Sequence, residues 1–189
     1  MYALIPAPDD PSQWSDWREQ LHQWRNSTRQ LLNYDDTLYS QPEFAWIPST
    51  FTVAFVMMYD LLFYDGEYQL DEFLEHGLQE FGGYDALLLW HAYPRIGFDD
   101  RNQFDFYRQM PDGLQGIRRL VDKCHERDIR VYVNYNPWDI GTRRESVSDV
   151  DALVELVRAT DVDAIFLDTM SNSIEGLRER LDEIRPGVT

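Results

Sequence analysis

Four short apolar runs, each ending on polar residues and each followed by an amphipathic stretch, constrain this chain more than any other feature. They are "FTVAFVMMYD" at 51–60, "YDALLLWHAY" at 84–93, "IRVYVNYN" at 129–136 and "DAIFLDTM" at 163–170. Runs without polar alternation read as strands buried on both faces, the pattern of a parallel sheet covered by helices. Over 69–81, Leu70, Phe73, Leu74, Gly77, Leu78 and Phe81 share one side of a helix, and Gly82-Gly83 suits its left-handed end. Over 112–128 the inward set is Leu114, Ile117, Leu120, Val121 and Cys124. Over 148–160 it is Val150, Leu153, Val154 and Val157, and a last helix is expected over 173–184. The chain therefore predicts the α/β class, with four strand–helix units.

Two parallel architectures fit four such units. A doubly wound sheet normally carries a glycine-rich phosphate loop after its first strand, and "YDLLFYDGEY" contains none. A (β/α)8 barrel typically takes ~250 residues, so four units make half of one. The expected fold is a parallel (βα)4 half of a TIM-type barrel preceded by an N-terminal amphipathic helix. Trp14, Trp17, Leu21, Trp24, Thr28 and Leu31 give that helix its stripe over 12–32, with Ser12 placed to cap it. Residues 1–50 are expected to form a helical leader packing on the barrel, and 51–189 the half-barrel, as one domain overall. A half-barrel leaves apolar strand edges bare, so a homodimer or a missing C-terminal half is expected.

Charge narrows the partners. Acids outnumber Lys plus Arg by 34 to 17, for a net charge of −17, and Lys123 is the sole lysine. Such a field repels nucleic acid and anionic membrane, so neither is an expected partner. No apolar run is long enough to span a bilayer, and no basic start with a signal core is present. A cytoplasmic protein of a salt-loaded, halophilic cell fits this surface; the alternative is an acidic mesophilic protein from a GC-rich genome, where Arg replaces Lys. Cys124, the single cysteine, lies on an apolar helix side and reads as inert core. His22, His76, His91 and His125 show no metal-ligand spacing, so no metal or other cofactor is expected.

In parallel βα folds, ligands lie at the carboxyl ends of the strands. Here those ends are polar while the opposite ends are short turns. Asp60 follows the first strand; Trp90, His91, Tyr93, Arg95 and Asp100 follow the second; Asn134, Asn136, Trp138, Asp139 and Arg143 follow the third; Asp168 closes the fourth. Acids and carboxamides bind hydroxyls, and indole rings stack on the apolar face of a sugar, so a neutral carbohydrate ligand is expected. Glycoside hydrolysis commonly uses two carboxyls. Adjacent strands lie ~4.8 Å apart, which brings Asp139 and Asp168 within reach of one ligand. The plainer alternatives are that Asp168 caps the following helix and that Asp139 begins a turn.

Together, "GGYDALLLWHAYPRIGFDDRNQFDFY", "MPDGL", "VNYNPWDIGTRRE" and "AIFLDTM" resemble the N-terminal half of a group of glycoside-hydrolase-like (β/α)8 proteins. That group is distantly similar to α-galactosidases and α-fucosidases, and the resemblance covers about residues 10–189. It implies a nucleophile role for Asp168, acting on an α-glycoside, and substrate binding for Asp60, His91, Trp138 and Asp139. In such barrels the acid/base carboxylate comes from a strand beyond the fourth, whereas this sequence stops at "RPGVT". A complete reaction therefore implies a second half or a dimer partner. The alternative is a non-catalytic half-barrel that binds sugar or assembles with a partner subunit.

The acidic surface makes its own prediction. Screening weakens repulsion among exposed acids, so dialysis from molar KCl into dilute buffer should cost the chain much of its far-ultraviolet circular dichroism. Identical spectra in the two buffers would contradict the salt-adapted reading.

Overall fold

A computed structural model describes residues 5–91, 100–138 and 143–189. The chain divides into two compact units, 1–41 and 42–189. In the first, helix α1 (Trp14–Leu31) follows a 3-10 turn at Pro11–Gln13. Ser12 is not the capping side chain: the Asp10 carboxylate accepts from the Ser12 backbone N–H at 2.9 Å. The indole N–H groups of Trp14 and Trp17 donate to the carbonyls of Pro8 and Ile5, tying the preceding segment to the helix.

The second unit holds one four-stranded sheet, β1 (Val53–Met57), β2 (Ala86–Trp90), β3 (Arg130–Tyr135) and β4 (Ala164–Leu167). All neighbours are parallel, and spatial order equals chain order. That order has no reversal point, so the sheet is singly wound, the topology of half a (β/α)8 barrel rather than of a doubly wound fold. The crossovers contain α2 (Leu70–Phe81), α3 (Gln103–Arg108) with α4 (Gly113–His125), and α5 (Asp149–Thr160); α6 (Leu177–Ile184) follows β4. Local signals set several of these ends. Gly82 takes φ 94° and closes α2, while the Ser148 hydroxyl accepts from the Asp151 N–H and opens α5.

The core lies between the sheet and the helices. Val56, Leu87, Leu89, Val131, Val133 and Ile165 face Leu74, Ile117, Leu120, Val121, Leu153, Val154, Val157 and Leu181. Cys124 is buried with them, and desolvation pushes its thiol up to about 12, as suits an unreactive core residue. Alternate strand residues face the other way, and burial on that side is incomplete. Val53, Phe55, Met57 and Phe166 are all exposed, Phe55 by 48%. The two-faced burial that the apolar runs suggest therefore holds for β2 but fails for β1 and for Phe166 in β4. Leu78 and Phe81, read as inward from the helical period, are also exposed.

The amino ends of the strands are tied together by one buried acid. Asp163, just before β4, has a side chain only 3% exposed. It accepts from His125 Nε2 at 2.8 Å, the Val131 N–H at 2.8 Å, Arg185 at 3.0 Å and Arg130 at 3.2 Å. Burial alone would raise its pKa, but the bonds from His125 and Val131 and the charges of His125 and Arg185 outweigh it, so the carboxyl sits below its ordinary value. Nearby, the Trp46 ring packs edge-on against Tyr132, and its N–H donates to the Gly187 carbonyl at 3.4 Å. Beside β4, Thr189 exchanges both bonds of a parallel pairing with Asp163 O and Ile165 N.

A depressed folded pKa stabilises the native state above the unfolded value of ~3.9 and stops doing so as pH falls through the folded value. Replacing Asp163 by Asn leaves buried donors without their acceptor charge, and should lower the unfolding free energy by about 3 kcal/mol at neutral pH in urea. The gap should narrow in acid. Equal stability at neutral pH would contradict the assignment.

Candidate functional site

The register places the predicted residues at one end of the sheet. Met57 pairs with Trp90, Leu89 with Val133, Asn134 with Phe166 and Tyr135 with Leu167. The Asp168 N–H donates to the Tyr135 carbonyl at 2.9 Å, so the β3–β4 pairing runs one step further and sets Asn136 opposite Asp168. Trp90 meets Phe55 edge-on at 4.6 Å, and Phe166 meets Phe55 edge-on at 6.3 Å. These aromatic residues lie on the face that the helices leave uncovered.

His91 ends β2 fully buried, its ring 5.0 Å from Tyr107 and 5.9 Å from Phe106. Both partners belong to α3, a six-residue helix inside what the sequence presents as a connecting loop. Asn102 caps α3 by accepting from the Phe104 and Asp105 N–H groups, and Asp105 returns a bond to the Asn102 N–H, a full capping box. Glu145 binds Arg108 at 2.8 and 2.9 Å and Asn102 at 2.6 Å, which fixes α3 to the segment after β3. The bond from Arg108 holds the Glu145 carboxyl below its ordinary pKa. A polar cleft of about 270 Å³ lies there, lined by Asn102, Gln103, Arg144, Glu145, Ser148 and Asp149 among others.

Asn134 and Asn136 are 1% and 0% exposed. Their backbones are held by α3: the Asn134 N–H donates to the Tyr107 hydroxyl at 2.8 Å, and Asn136 exchanges two bonds with the Gln103 carboxamide. Their side-chain oxygens and nitrogens meet no hydrogen-bond partner among the described residues. A buried carboxamide left in that condition costs free energy unless something else completes it.

Asp168 does not cap the next helix. That helix, α6, begins at Leu177 with Gly176 as its cap, and Asp168 is only part-buried at the strand end. Directly after it, Thr169 adopts φ 60°, a left-handed conformation that a β-branched residue pays roughly 1–3 kcal/mol to hold. The Trp138 indole N–H donates to Thr169 Oγ1 at 3.0 Å and links the end of β3 to the end of β4. Trp138 keeps 46% of its surface exposed. A strained, tethered turn thus carries the acid that the sequence singles out.

The remaining predicted residues are placed less centrally. The Asp60 carboxylate accepts from the Leu62 N–H at 2.9 Å and shapes the turn after β1. Asp100 is exposed, and its carbonyl accepts from the Arg143 N–H. The Arg143 guanidinium binds Asp105 at 2.9 Å. Tyr93, Arg95 and Asp139 lie outside the described residues. Three groups that sequence reasoning did not assign emerge at the two ends of the sheet: Gln103 and Tyr107 at the carboxyl end, and the His125–Asp163 pair at the amino end. The Asn102…Asp105 spacing was the one available signal for the first two. No group of three His, Cys, Asp or Glu able to hold a metal occurs among the described residues. No described helix is long and apolar enough to cross a membrane.

No family model matches this chain, and no curated protein matches it. Among solved structures, it is similar to the α-amylase from Geobacillus thermoleovorans complexed with acarbose. The TM-score is 0.40 and the sequence identity 18%, over 70% of this chain and 43% of that one. The chain thus spans less than half the length of that structure.

Proposed function

We propose that this chain is carbohydrate-active, taking a neutral saccharide at the carboxyl ends of β2, β3 and β4. The observation that carries the proposal is the pair of buried carboxamides of Asn134 and Asn136, unpartnered among the described residues. Carboxamides both donate and accept, as vicinal hydroxyls do, so a polyol completes them without bringing a charge into the site. Trp138, 46% exposed two residues after Asn136, offers indole surface, and the acid-rich chain disfavours anionic ligands.

Within that reading, Asp168 is the nucleophile of a retaining hydrolysis of an α-glycoside. Its carboxylate attacks the anomeric carbon, the glycosidic bond breaks as the leaving oxygen takes a proton, and water then releases the sugar from the ester. The proton comes from a second carboxyl, either Asp139 or an acid supplied by another half-barrel. A second copy of this chain, or a separate C-terminal half, completes the ring over the exposed Val53, Phe55, Met57 and Phe166. We place the protein in the cytoplasm of a salt-adapted cell, on its charge. A half-barrel that binds sugar without cleaving it is the second reading, favoured by a site whose firmest feature is binding groups.

The test is hydrolysis of a panel of aryl α-glycosides in molar salt, with the parent chain and with Asp168→Asn. Turnover by the parent and a loss of at least about a thousandfold in the variant, with circular dichroism unchanged, is the predicted outcome. Equal rates in the two proteins would sink the nucleophile. Saturable sugar binding without turnover, surviving Asp168→Asn, would establish the non-catalytic reading instead.

A further inference from the structure

Helix α3 does more than fill a crossover. In the β2–β3 ladder, Ala86 pairs with Arg130 and Leu88 with Tyr132, and the Arg130 N–H donates to the Asp85 carbonyl at 2.9 Å. Parallel ladders repeat every second residue, so the next bonds from β3 are Tyr132 N–H to Leu87 and Asn134 N–H to Leu89. The last of these is interrupted. The Asn134 N–H donates to the Tyr107 hydroxyl at 2.8 Å, and that hydroxyl donates to the Leu89 carbonyl at 2.7 Å. A phenol oxygen therefore stands between two strands that would otherwise touch. Tyr107 is fully buried, and burial pushes its pKa up, so the group stays a protonated relay.

One step on, the same substitution recurs. The Gln103 carboxamide accepts from the Asn136 N–H at 3.0 Å and donates to the Asn136 carbonyl at 2.9 Å. Those are the two bonds that residues of a neighbouring strand would make, and Gln103 is itself 1% exposed. Side chains of α3 thus satisfy the backbone of β3 where β2 no longer does, and the two strands part at their carboxyl ends. Beside this gap, on the strand face opposite Val133 and Tyr135, the Asn134 and Asn136 side chains are buried and without partners among the described residues.

We propose that α3 is a wedge that holds β2 and β3 apart, with Gln103 and Tyr107 as positioning residues for a hydroxyl-binding subsite made by Asn134 and Asn136. The hydroxyl ligand rests on the carbohydrate reading given above; the wedge itself rests on the geometry. Without the Tyr107 hydroxyl, the Asn134 N–H and the Leu89 carbonyl either stay unsatisfied or close on each other, and each course moves the Asn134 carboxamide. Buried side-chain bonds to backbone replace what β-pairing would supply, and they leave both carboxamides free for a ligand.

The experiment uses the full chain with 15N-asparagine label in molar KCl, and reads side-chain NH2 and backbone resonances. Glucose, galactose, fucose and maltose are titrated into the parent, Tyr107→Phe and Gln103→Glu. The expected result is a saccharide-dependent shift of the Asn134 and Asn136 carboxamide signals, weakened about tenfold in each folded variant. Before any sugar is added, Tyr107→Phe should already move the Asn134 carboxamide signal and speed exchange of its backbone amide. Variants that bind as the parent does would overturn the positioning role while leaving the carbohydrate reading intact. If no saccharide moves a signal, the carbohydrate reading fails. The wedge then stands or falls on the sugar-free spectra, and an unmoved Asn134 signal in Tyr107→Phe overturns it. Gln103→Glu, which keeps the acceptor and loses the donor, decides the matter should Tyr107→Phe fail to fold.

Discussion

Incomplete burial of the sheet's second face is the constraint from which the rest of this structure follows. A parallel strand must hide its apolar side chains, and here α2, α4, α5 and α6 hide one set. Val56, Leu87, Val131 and Ile165 vanish beneath those helices, whereas Val53, Phe55, Met57 and Phe166 on the other face do not. Strand order running in chain order keeps the crossovers of this unit on the same side, so α2, α4, α5 and α6 all cover one face. In a closed barrel the other face would be the packed interior. Its exposure in this chain explains why completion by a second half-barrel is central to the function proposed. Exposed aromatic area of this kind ordinarily marks a surface that meets something else.

The two ends of the sheet divide stability from chemistry. Asp163 and Asp168 flank the same four-residue strand and have opposite surroundings. Asp163 sits at the amino end with four hydrogen-bond donors, from α4, β3 and the residue after α6, which makes it a structural acid. Asp168 sits at the carboxyl end beside a left-handed threonine, part-exposed, with buried carboxamides across from it. The amino end satisfies its polar groups within the protein. The carboxyl end leaves the Asn134 and Asn136 side chains unsatisfied among the described residues and accepts backbone strain at Thr169, costs a fold bears where a ligand is to complete the site.

Much of the fold was legible because its signals are long. A thirteen-residue helix such as α4 repeats its apolar period more than three times, and the glycine that ends α2 takes the left-handed turn its position suggests. Parallel pairing followed from strands without polar alternation. The helix α3 was not legible: at six residues it completes less than two turns, too few for a period to emerge from "QFDFYR". Its capping box was visible in the letters, yet an Asn and an Asp three apart are common in loops. Phe166 misled for a related reason, since an apolar run cannot say whether a second layer covers its outer face. The carboxyl-end residues were found by topology alone, and what topology could not give was the role of Gln103 and Tyr107. Side chains that replace strand-to-strand bonds leave no trace in spacing.

A sheet that leaves Phe55 and Phe166 exposed on one face and a chain of this charge make a clear physical demand on solution behaviour. Light scattering in molar KCl across a range of protein concentrations measures it most directly. The account predicts a discrete dimer near twice 22.4 kDa, held together by the face that carries Phe55 and Phe166 and abolished by Phe55→Asp. A stable monomer at every concentration would contradict completion by a second copy of this chain.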